Sequence, residues 1–414
     1  MSSLKTVSAV ALAAAAMLSV GGSYAADLSI YSDKTPWHDG MAEAADIASK
    51  ASGATIKLQE ITPTDKYQAF MQTSIAGNNV PAFFTWWNGQ QLSDLVATGA
   101  VADLSSYWDQ AIKDGNFSAG QKDLVSVDGK PYGILLNVAN WVVFYNTKDF
   151  EKAGIAAPPK TWDELMADCD KLKAAGFTPF NAPASGGWMP FIWFSQLVLG
   201  TNPDAFVGLT SNKTAYNGPE VHKAFQIWAD MYKKGYFTDP REQDDSKFFA
   251  DGSAAMFLIG DWHSGQFATM GMKPGVDFKT FLMPSVTPDV QQSVIVEASP
   301  IVVSKAALAA NPDLGKAIAA YMGPDVSNAL GTKVQVYNGN LKGTPPNDII
   351  KADNELVAAA KPRALVRWWE AVPSQIQGDL VAQMGSFMLN PTPENGEKVM
   401  TQMQQINADY WASK

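Results

Sequence analysis

The chain has 414 residues, 46% of them hydrophobic, and a formal net charge of −10 at pH 7. This length exceeds the size at which a single hydrophobic core stops growing, so we expect two domains. The negative charge argues against a nucleic-acid partner and against binding to anionic membrane surfaces.

The first 25 residues have the three parts of a secretory signal peptide. Lys5 supplies a positive charge, residues 7–20 form a short Ala-rich apolar stretch, and Ser23 and Ala25 place small side chains at a cleavage site. A membrane anchor is the alternative, but the apolar stretch is shorter than the roughly 20 residues that a spanning helix needs. We therefore predict that residues 1–25 are removed and that the protein is periplasmic.

After this segment, short apolar strands alternate with amphipathic helices, a pattern that is typical of layered α/β domains. The predicted strands are Leu28–Tyr31, Thr55–Leu58 and Ala82–Trp86. A helical stripe that ends at Gly77 is formed by Tyr67, Phe70, Met71 and Ile75. The fold class predicted from this alternation is α/β.

A further helix start is marked by Thr161 and Glu164, which have the spacing of a capping box and follow two prolines. The apolar positions of this helix include Cys169, so we expect this cysteine to be buried. A reactive or metal-binding thiol is the alternative. Because Cys169 is the single cysteine of the chain, an intramolecular disulfide is excluded.

Two longer extended runs, Leu135–Tyr145 and Ser293–Ser304, are apolar except for isolated polar residues. These residues are Asn137 and Asn140 in the first run and Glu297 in the second. Ordinary central strands would explain the pattern equally well. If both domains share these strands, the polar residues lie at the cleft between the domains.

The stretch from Leu136 to Gly154, followed by the double proline and the Thr161 helix start, resembles the signature of bacterial extracellular solute-binding proteins of the maltose and oligosaccharide type. Leu135 departs from that signature, which has a small residue or proline there. Other segments that resemble this family occur in the family's order along the chain. They are Val80–Gly89, Phe249–His263, Ser299–Lys305 and Trp368–Pro373.

This resemblance implies a two-lobed periplasmic binding protein-like fold of type II, with two discontinuous α/β domains joined by a hinge. The N-terminal lobe would comprise residues 26–138 and 299–340, and the C-terminal lobe residues 139–298 and 341–414. The crossings would lie near residues 138–141, 294–298 and 337–344. The resemblance also implies a monomer that closes on a ligand and delivers it to the permease and ATPase subunits of an ABC transporter in the inner membrane.

A sugar offers C–H faces that stack on aromatic rings and hydroxyl rims that need planar polar partners. Many of the 13 tryptophans have polar neighbours in sequence, although core packing remains the alternative for each of them. With the resemblance, this pairing predicts a ligand site formed by Trp37, His38, Trp86, Trp87, Asn88, Asn140, Trp141, Trp188, Asp261, Trp262, His263, Glu297, Trp368, Trp369 and Glu370. Of the consecutive pair Trp368 and Trp369, we expect one to stack on the ligand and the other to pack in the core.

The ligand class predicted from the residues is a neutral saccharide, because importers of anions use arginine and this chain has only three. Arg363 and Arg367 precede Trp368 and leave an acidic sugar open, although we expect both at the surface. A polyol is a further alternative. With three histidines and one cysteine, no metal, cofactor or catalytic residue is expected, and a glycoside-active enzyme is the remaining rival.

Overall fold

The computed structural model describes residues 28–184, 187–242 and 246–414. The predicted signal peptide, residues 1–25, lies outside the described residues. Within the described ranges, no helix combines the length and the hydrophobicity that a bilayer crossing requires.

The strands and helices alternate along most of the chain. The strands are β1 Leu28–Ser32, β2 Ile56–Glu60, β3 Phe83–Thr85, β4 Ser126–Val127, β5 Lys130–Pro131, β6 Gly133–Asn146, β7 Thr178–Asn181, β8 Ala254–Gly260, β9 Phe278–Phe281, β10 Ser293–Val303 and β11 Arg363–Val366. The helices are α1 His38–Ser52, α2 Thr64–Ala76, α3 Gly89–Ala97, α4 Ser105–Lys113, α5 Ala119–Asp123, α6 Thr147–Lys152, α7 Trp162–Ala174, α8 Phe191–Thr201, α9 Pro203–Thr210, α10 Pro219–Lys233, α11 Lys247–Ala250, α12 Ser264–Thr269, α13 Lys305–Ala310, α14 Leu314–Tyr321, α15 Pro324–Val334, α16 Asp348–Ala360, α17 Trp368–Ala371, α18 Ser374–Leu389 and α19 Pro393–Ala412. Among the residues described, 3₁₀ turns span Thr35–Trp37 and Asp261–His263.

The three strands predicted near the N terminus correspond to β1, β2 and β3, and α2 ends one residue before Gly77 as expected. The predicted apolar stripe of α2 is wrong in one position. Tyr67 and Met71 are fully buried, whereas Phe70 is 37% exposed and stacks on the ring of Tyr31, with 5.2 Å between the ring centroids. The buried face of α2 is therefore narrower than its sequence indicates.

The start of α7 confirms the predicted capping box. The Thr161 hydroxyl accepts a hydrogen bond from the Glu164 amide at 3.2 Å, and the Glu164 carboxylate accepts one from the Thr161 amide at 3.3 Å. Cys169 lies on the buried face of this helix with no exposed surface, and burial raises the pKa of its thiol. A raised thiol pKa disfavours the reactive thiolate, so the cysteine is a core residue.

One mixed sheet runs through the whole molecule in the order β2-β1-β3-β10-β6-β8-β7, and β11 and β9 pair with β10 and β6 outside this path. Strand β6 has 14 residues; its first half pairs with β10, and its second half, from Trp141, pairs with β8 and β9. Strand β10 likewise pairs with β11 through its first residues and with β3 through its last. The two extended runs predicted from the sequence are thus two long strands that connect both halves of the sheet.

After β10 the chain crosses a third time from one half of the sheet to the other, as the packing of the following helices indicates. Helices α14 and α15 pack on α1, beside β1 and β2. Helix α16 then contacts β6 and β9, and α19 packs on α10 in the other half. The passage lies near Tyr337, whose carbonyl oxygen accepts a hydrogen bond from the Val138 amide at 2.8 Å.

Buried acids lie where β6 changes partners. The Asp261 carboxylate accepts hydrogen bonds from the Asn140 main-chain amide at 3.2 Å and from its side-chain amide at 3.4 Å. Asp353 of α16 accepts a hydrogen bond from the Thr280 hydroxyl of β9. Burial raises the pKa of Asp353 to about 7, and burial together with the charge of Asp353 raises the pKa of Asp261 well above its ordinary value.

We expect Asp353→Asn to reduce the decline in stability between pH 5 and pH 8 to which buried Asp353 and Asp261 both contribute. In the wild-type protein, folded Asp353 keeps its proton up to a pKa of about 7, while unfolded Asp353 loses it near pH 4. The folded state therefore binds more protons in this window, and the free energy of unfolding falls as the pH rises, by up to roughly 2 kcal/mol. Urea midpoints at both pH values measure the difference.

Asp123→Asn, at an exposed position of α5, serves as the control for the same change of side chain. An Asp353→Asn profile with the same decline as the wild-type profile would contradict the assignment of a retained proton to Asp353.

Candidate functional site

A cavity of about 210 Å³ lies between the two halves of the sheet, beside β10. Five of its lining side chains are indoles, and most of the others are charged or polar. The lining residues are Asp33, Lys34, Pro36, Trp37, Thr64, Trp87, Trp188, Trp262, Gln266, Glu297, Arg367 and Trp369. Several of them directly follow the carboxyl ends of β1, β3 and β8, which is where ligands bind in α/β sheets.

The first wall follows β1 and β3. The Asp33 carboxylate accepts hydrogen bonds from the hydroxyls of Thr64 at 3.1 Å and Thr85 at 3.2 Å, so its position is fixed by two other segments. The Lys34 ammonium pairs with Asp33 at 3.2 Å and lies 5.9 Å from the ring centroid of Trp37 and 5.7 Å from that of Trp87. This wall offers two indoles and a paired cation.

The second wall comes from the segments after β8 and before α18. Trp262, in the 3₁₀ turn after β8, meets Trp37 edge to face with 6.1 Å between the ring centroids. Trp369, in α17, lies 6.5 Å from Trp87. Rings that are distant in sequence thus approach each other in pairs around the cavity.

Glu297 of β10 connects these segments although it is only 3% exposed. Its Oε2 atom accepts hydrogen bonds from the indole N–H of Trp141 and from that of Trp262, both at 3.1 Å, and from Nη1 of Arg367 at 2.9 Å. Its Oε1 atom accepts one from the Ser299 hydroxyl at 3.3 Å. A buried carboxylate with these donors is held in one orientation.

Arg367 is buried, which corrects the expectation of a surface position for this residue. It is 6% exposed and lines the cavity, with its guanidinium 5.4 Å from the ring centroid of Trp141. Its Nε donates to Glu370 at 2.8 Å, and its Nη2 donates to the same carboxylate. Burial lowers the pKa of Arg367, but the charges of Glu297 and Glu370 outweigh this effect and hold the pKa above its ordinary value. Arg363 is partly exposed and pairs with Asp204.

Six of the predicted site residues line the cavity, and these are Trp37, Trp87, Trp188, Trp262, Glu297 and Trp369. Trp141 and Glu370 lie directly behind it, because each is hydrogen-bonded to a lining residue. Of the two consecutive tryptophans, Trp369 lines the cavity and Trp368 lies in the core. Contact of these residues with a ligand remains a prediction.

Two of the predicted tryptophans lie in the core and outside the cavity lining. Trp86 is 4% exposed, and its indole N–H donates to the Gln91 carbonyl oxygen at 3.1 Å. Trp368 has no exposed surface, and its indole N–H donates to the Tyr216 hydroxyl at 3.1 Å. Both rings are buried outside the cavity lining, and their contact with a ligand stays a prediction.

The two predicted histidines are also outside the lining. The His38 side chain is 57% exposed and pairs with Glu60 at 2.8 Å. His263 is completely buried, its Nε2 lies 2.7 Å from the Ser246 hydroxyl, and burial lowers its pKa to about 3. The remaining predicted residues outside the lining are buried and hydrogen-bonded elsewhere, and they are Asn88, Asn140 and Asp261.

Sequence reasoning missed Asp33, Lys34, Pro36, Thr64, Gln266 and Arg367. A signal existed for Asp33 and Lys34, which stand between the end of β1 and the predicted Trp37. For Arg367 the signal was the acidic residue three positions later, Glu370, on the same apolar segment. Within residues 28–184, 187–242 and 246–414, no group of three or more His, Cys, Asp or Glu side chains is arranged to hold a metal ion.

The fold and parts of the sequence are similar to known binding proteins. A solved chitin oligosaccharide binding protein superposes with a TM-score of 0.80 at 20% identity, covering 92% of this chain and 98% of that protein. This likeness confirms the predicted two-lobed α/β fold.

Curated relatives match shorter stretches. An uncharacterized ABC transporter extracellular-binding protein of Pyrococcus horikoshii is 25% identical over 221 residues, 52% of this chain and 50% of the relative. The sn-glycerol-3-phosphate-binding periplasmic protein of Yersinia pestis is 32% identical over 192 residues, 42% of each. The chain thus spans about half the length of the curated relatives it matches.

The match to a family is longer than the match to any of these relatives. The family model for bacterial extracellular solute-binding proteins covers residues 43–358, which is most of the chain. On this match, together with the fold, the chain belongs to the bacterial extracellular solute-binding protein family.

Proposed function

We propose that the chain is the substrate-binding component of an ABC sugar importer and that it captures a neutral saccharide in the cavity beside β10. The observation that carries this proposal is the combination of five indoles with carboxylate, amide and hydroxyl groups in one lining. The indole faces suit the C–H faces of a sugar ring, and the polar groups suit its hydroxyls. A saccharide needs aromatic partners at its faces and polar partners around its rim.

The pairing of charges supports a neutral ligand. Both cations of the lining already have carboxylate partners, Lys34 with Asp33 and Arg367 with Glu297. Importers of anions leave an arginine fork available to the ligand. A ligand with hydroxyls requires no such free charge.

In this proposal the two lobes close around the ligand. The lobes are residues 26–138 with 299–340 and residues 139–298 with 341–414, and β6 and β10 form part of the hinge. The cavity walls come from both sides of these strands, so a ligand stabilises the closed state through contacts that the open state lacks. The protein acts as a monomer without catalysis and delivers its ligand to a permease with an ATPase.

Residues 1–25 are a cleavable signal peptide in this proposal, and the mature protein is periplasmic. The family's description as extracellular solute-binding proteins supports export. The Lys5 charge, the short apolar stretch and the small residues near Ala25 support removal of the segment.

A phosphorylated polyol is the second candidate ligand. The Yersinia pestis relative is named for binding of sn-glycerol 3-phosphate, and the lining of this chain does contain Lys34 and Arg367. The pairing of both cations with carboxylates counts against this candidate.

We expect neutral mono- to trisaccharides to raise the melting temperature of the purified protein in a thermal-shift screen. A ligand that binds only the folded state stabilises it by mass action, and about 2.7 kcal/mol is gained at a ligand concentration 100 times the Kd. Glycerol 3-phosphate and galacturonate, screened beside them, should give no shift. A shift with glycerol 3-phosphate and none with any neutral saccharide would favour the second candidate.

We expect Trp262→Ala and Trp369→Ala each to weaken binding of the saccharide found in that screen by roughly tenfold or more, because truncating a buried aromatic anchor costs about 1–3 kcal/mol. Isothermal titration calorimetry measures the Kd. Trp411→Ala, in α19 and outside the cavity lining, is the matched control and should bind like the wild-type protein. Wild-type affinity in both cavity variants would show that the ligand binds elsewhere.

A further inference from the structure

The charges at the cavity are unequally distributed between its walls. On the first wall Asp33 and Lys34 form a balanced pair. On the second wall Arg367 faces two carboxylates, Glu297 at 2.9 Å and Glu370, which has no exposed surface. The second cluster therefore carries one more negative than positive charge when all three groups are ionised.

The two carboxylates together engage all three nitrogen atoms of the guanidinium. Glu370 takes the edge formed by Nε and Nη2, with Oε2 at 2.8 Å from Nε, and Glu297 takes Nη1. Bidentate recognition of a carboxylate or phosphate needs one complete edge of the fork. Three of the five N–H donors are used in this way, and the remaining two, one on each Nη atom, can donate to hydroxyl oxygens.

Glu370 is held in place by the packing of α17. The Trp369 carbonyl oxygen accepts hydrogen bonds from the side-chain amides of Gln91 at 2.7 Å and Gln377 at 2.5 Å. Gly89, with a φ of 62°, lies so close to the Glu370 main chain that a Cβ added there would be 2.8 Å from the carbonyl oxygen. The carboxylate of Glu370 thus has a fixed position behind Arg367 and is absent from the cavity lining.

We propose that Glu370 is a specificity-determining residue that excludes anionic ligands by neutralising Arg367 together with Glu297. The ligand class it selects is the neutral polyhydroxy compound, and the classes it rejects are phosphorylated and carboxylated polyols. The inference rests on the proposed function, since it concerns the ligand of the same cavity. An anionic group near Arg367 would meet two carboxylates in a buried environment, where like charges repel strongly.

The test compares the wild-type protein with Glu370→Gln, which keeps the shape of the side chain and removes its charge. Glycerol 3-phosphate is the anionic probe, and the saccharide found in the screen is the neutral probe. We expect glycerol 3-phosphate to bind the wild-type protein so weakly that calorimetry gives only a lower limit for its Kd, and to bind Glu370→Gln with a Kd at least about tenfold below that limit. The ratio of the two affinities, measured by calorimetry, is the readout.

Two further variants separate a charge effect from a general loosening of the site. Glu370→Asp keeps the charge and should still exclude glycerol 3-phosphate. Glu370→Gln combined with Arg367→Gln removes the cation, and the gain should disappear. If Glu370→Gln does not fold, as judged by circular dichroism, Glu297→Gln removes the other carboxylate from the same guanidinium and should produce the gain.

The inference is overturned if the wild-type protein binds glycerol 3-phosphate as tightly as the neutral probe. It is also overturned if folded Glu370→Gln, or Glu297→Gln in its place, gains no affinity for the anion. Failure of the proposed function has a different signature, because the wild-type protein would then bind no neutral saccharide, whatever the variants do with glycerol 3-phosphate.

Discussion

The cavity depends on one buried oxygen atom, Oε2 of Glu297. Three donors from different parts of the chain converge on it: Trp141 of β6, Trp262 of the turn after β8, and Arg367 next to α17. A buried charge is costly unless it is paired and hydrogen-bonded, so these partners are required for this carboxylate to be tolerated on a central strand. Because β10 belongs to both halves of the sheet, the same contacts also align the two halves beside the cavity.

Much of the fold could be predicted from local patterns. The strands near the N terminus, the capping box of Thr161 and Glu164, and the burial of Cys169 follow from periodicity and capping chemistry, which depend on neighbouring residues. The long strands β6 and β10 were also recognisable as extended runs with isolated polar residues. The exposure of Phe70 was not predictable in this way, because its partner, Tyr31, is on another element.

The site could be predicted only in part, because sequence identifies residue types and the fold decides which way they face. Trp86 and Trp87 are adjacent, yet Trp87 lines the cavity and Trp86 donates its indole N–H to a carbonyl oxygen within its own segment. We expected Arg367 at the surface because the sequence places only one of its two acidic partners nearby. Glu370 is three residues away, but Glu297 is 70 residues distant. The pairing of Arg367 with Glu297 leaves no local signal in the sequence.

Gly89 lies at a close contact between two segments that carry cavity residues. Helix α3 follows Trp86 and Trp87, whereas α17 carries Trp369, and the two helices touch where Gly89 meets the main chain of Glu370. Even the smallest side chain at this position would act as a wedge between them. The 6.5 Å between the ring centroids of Trp87 and Trp369 therefore depends on the absence of a methyl group at a single residue.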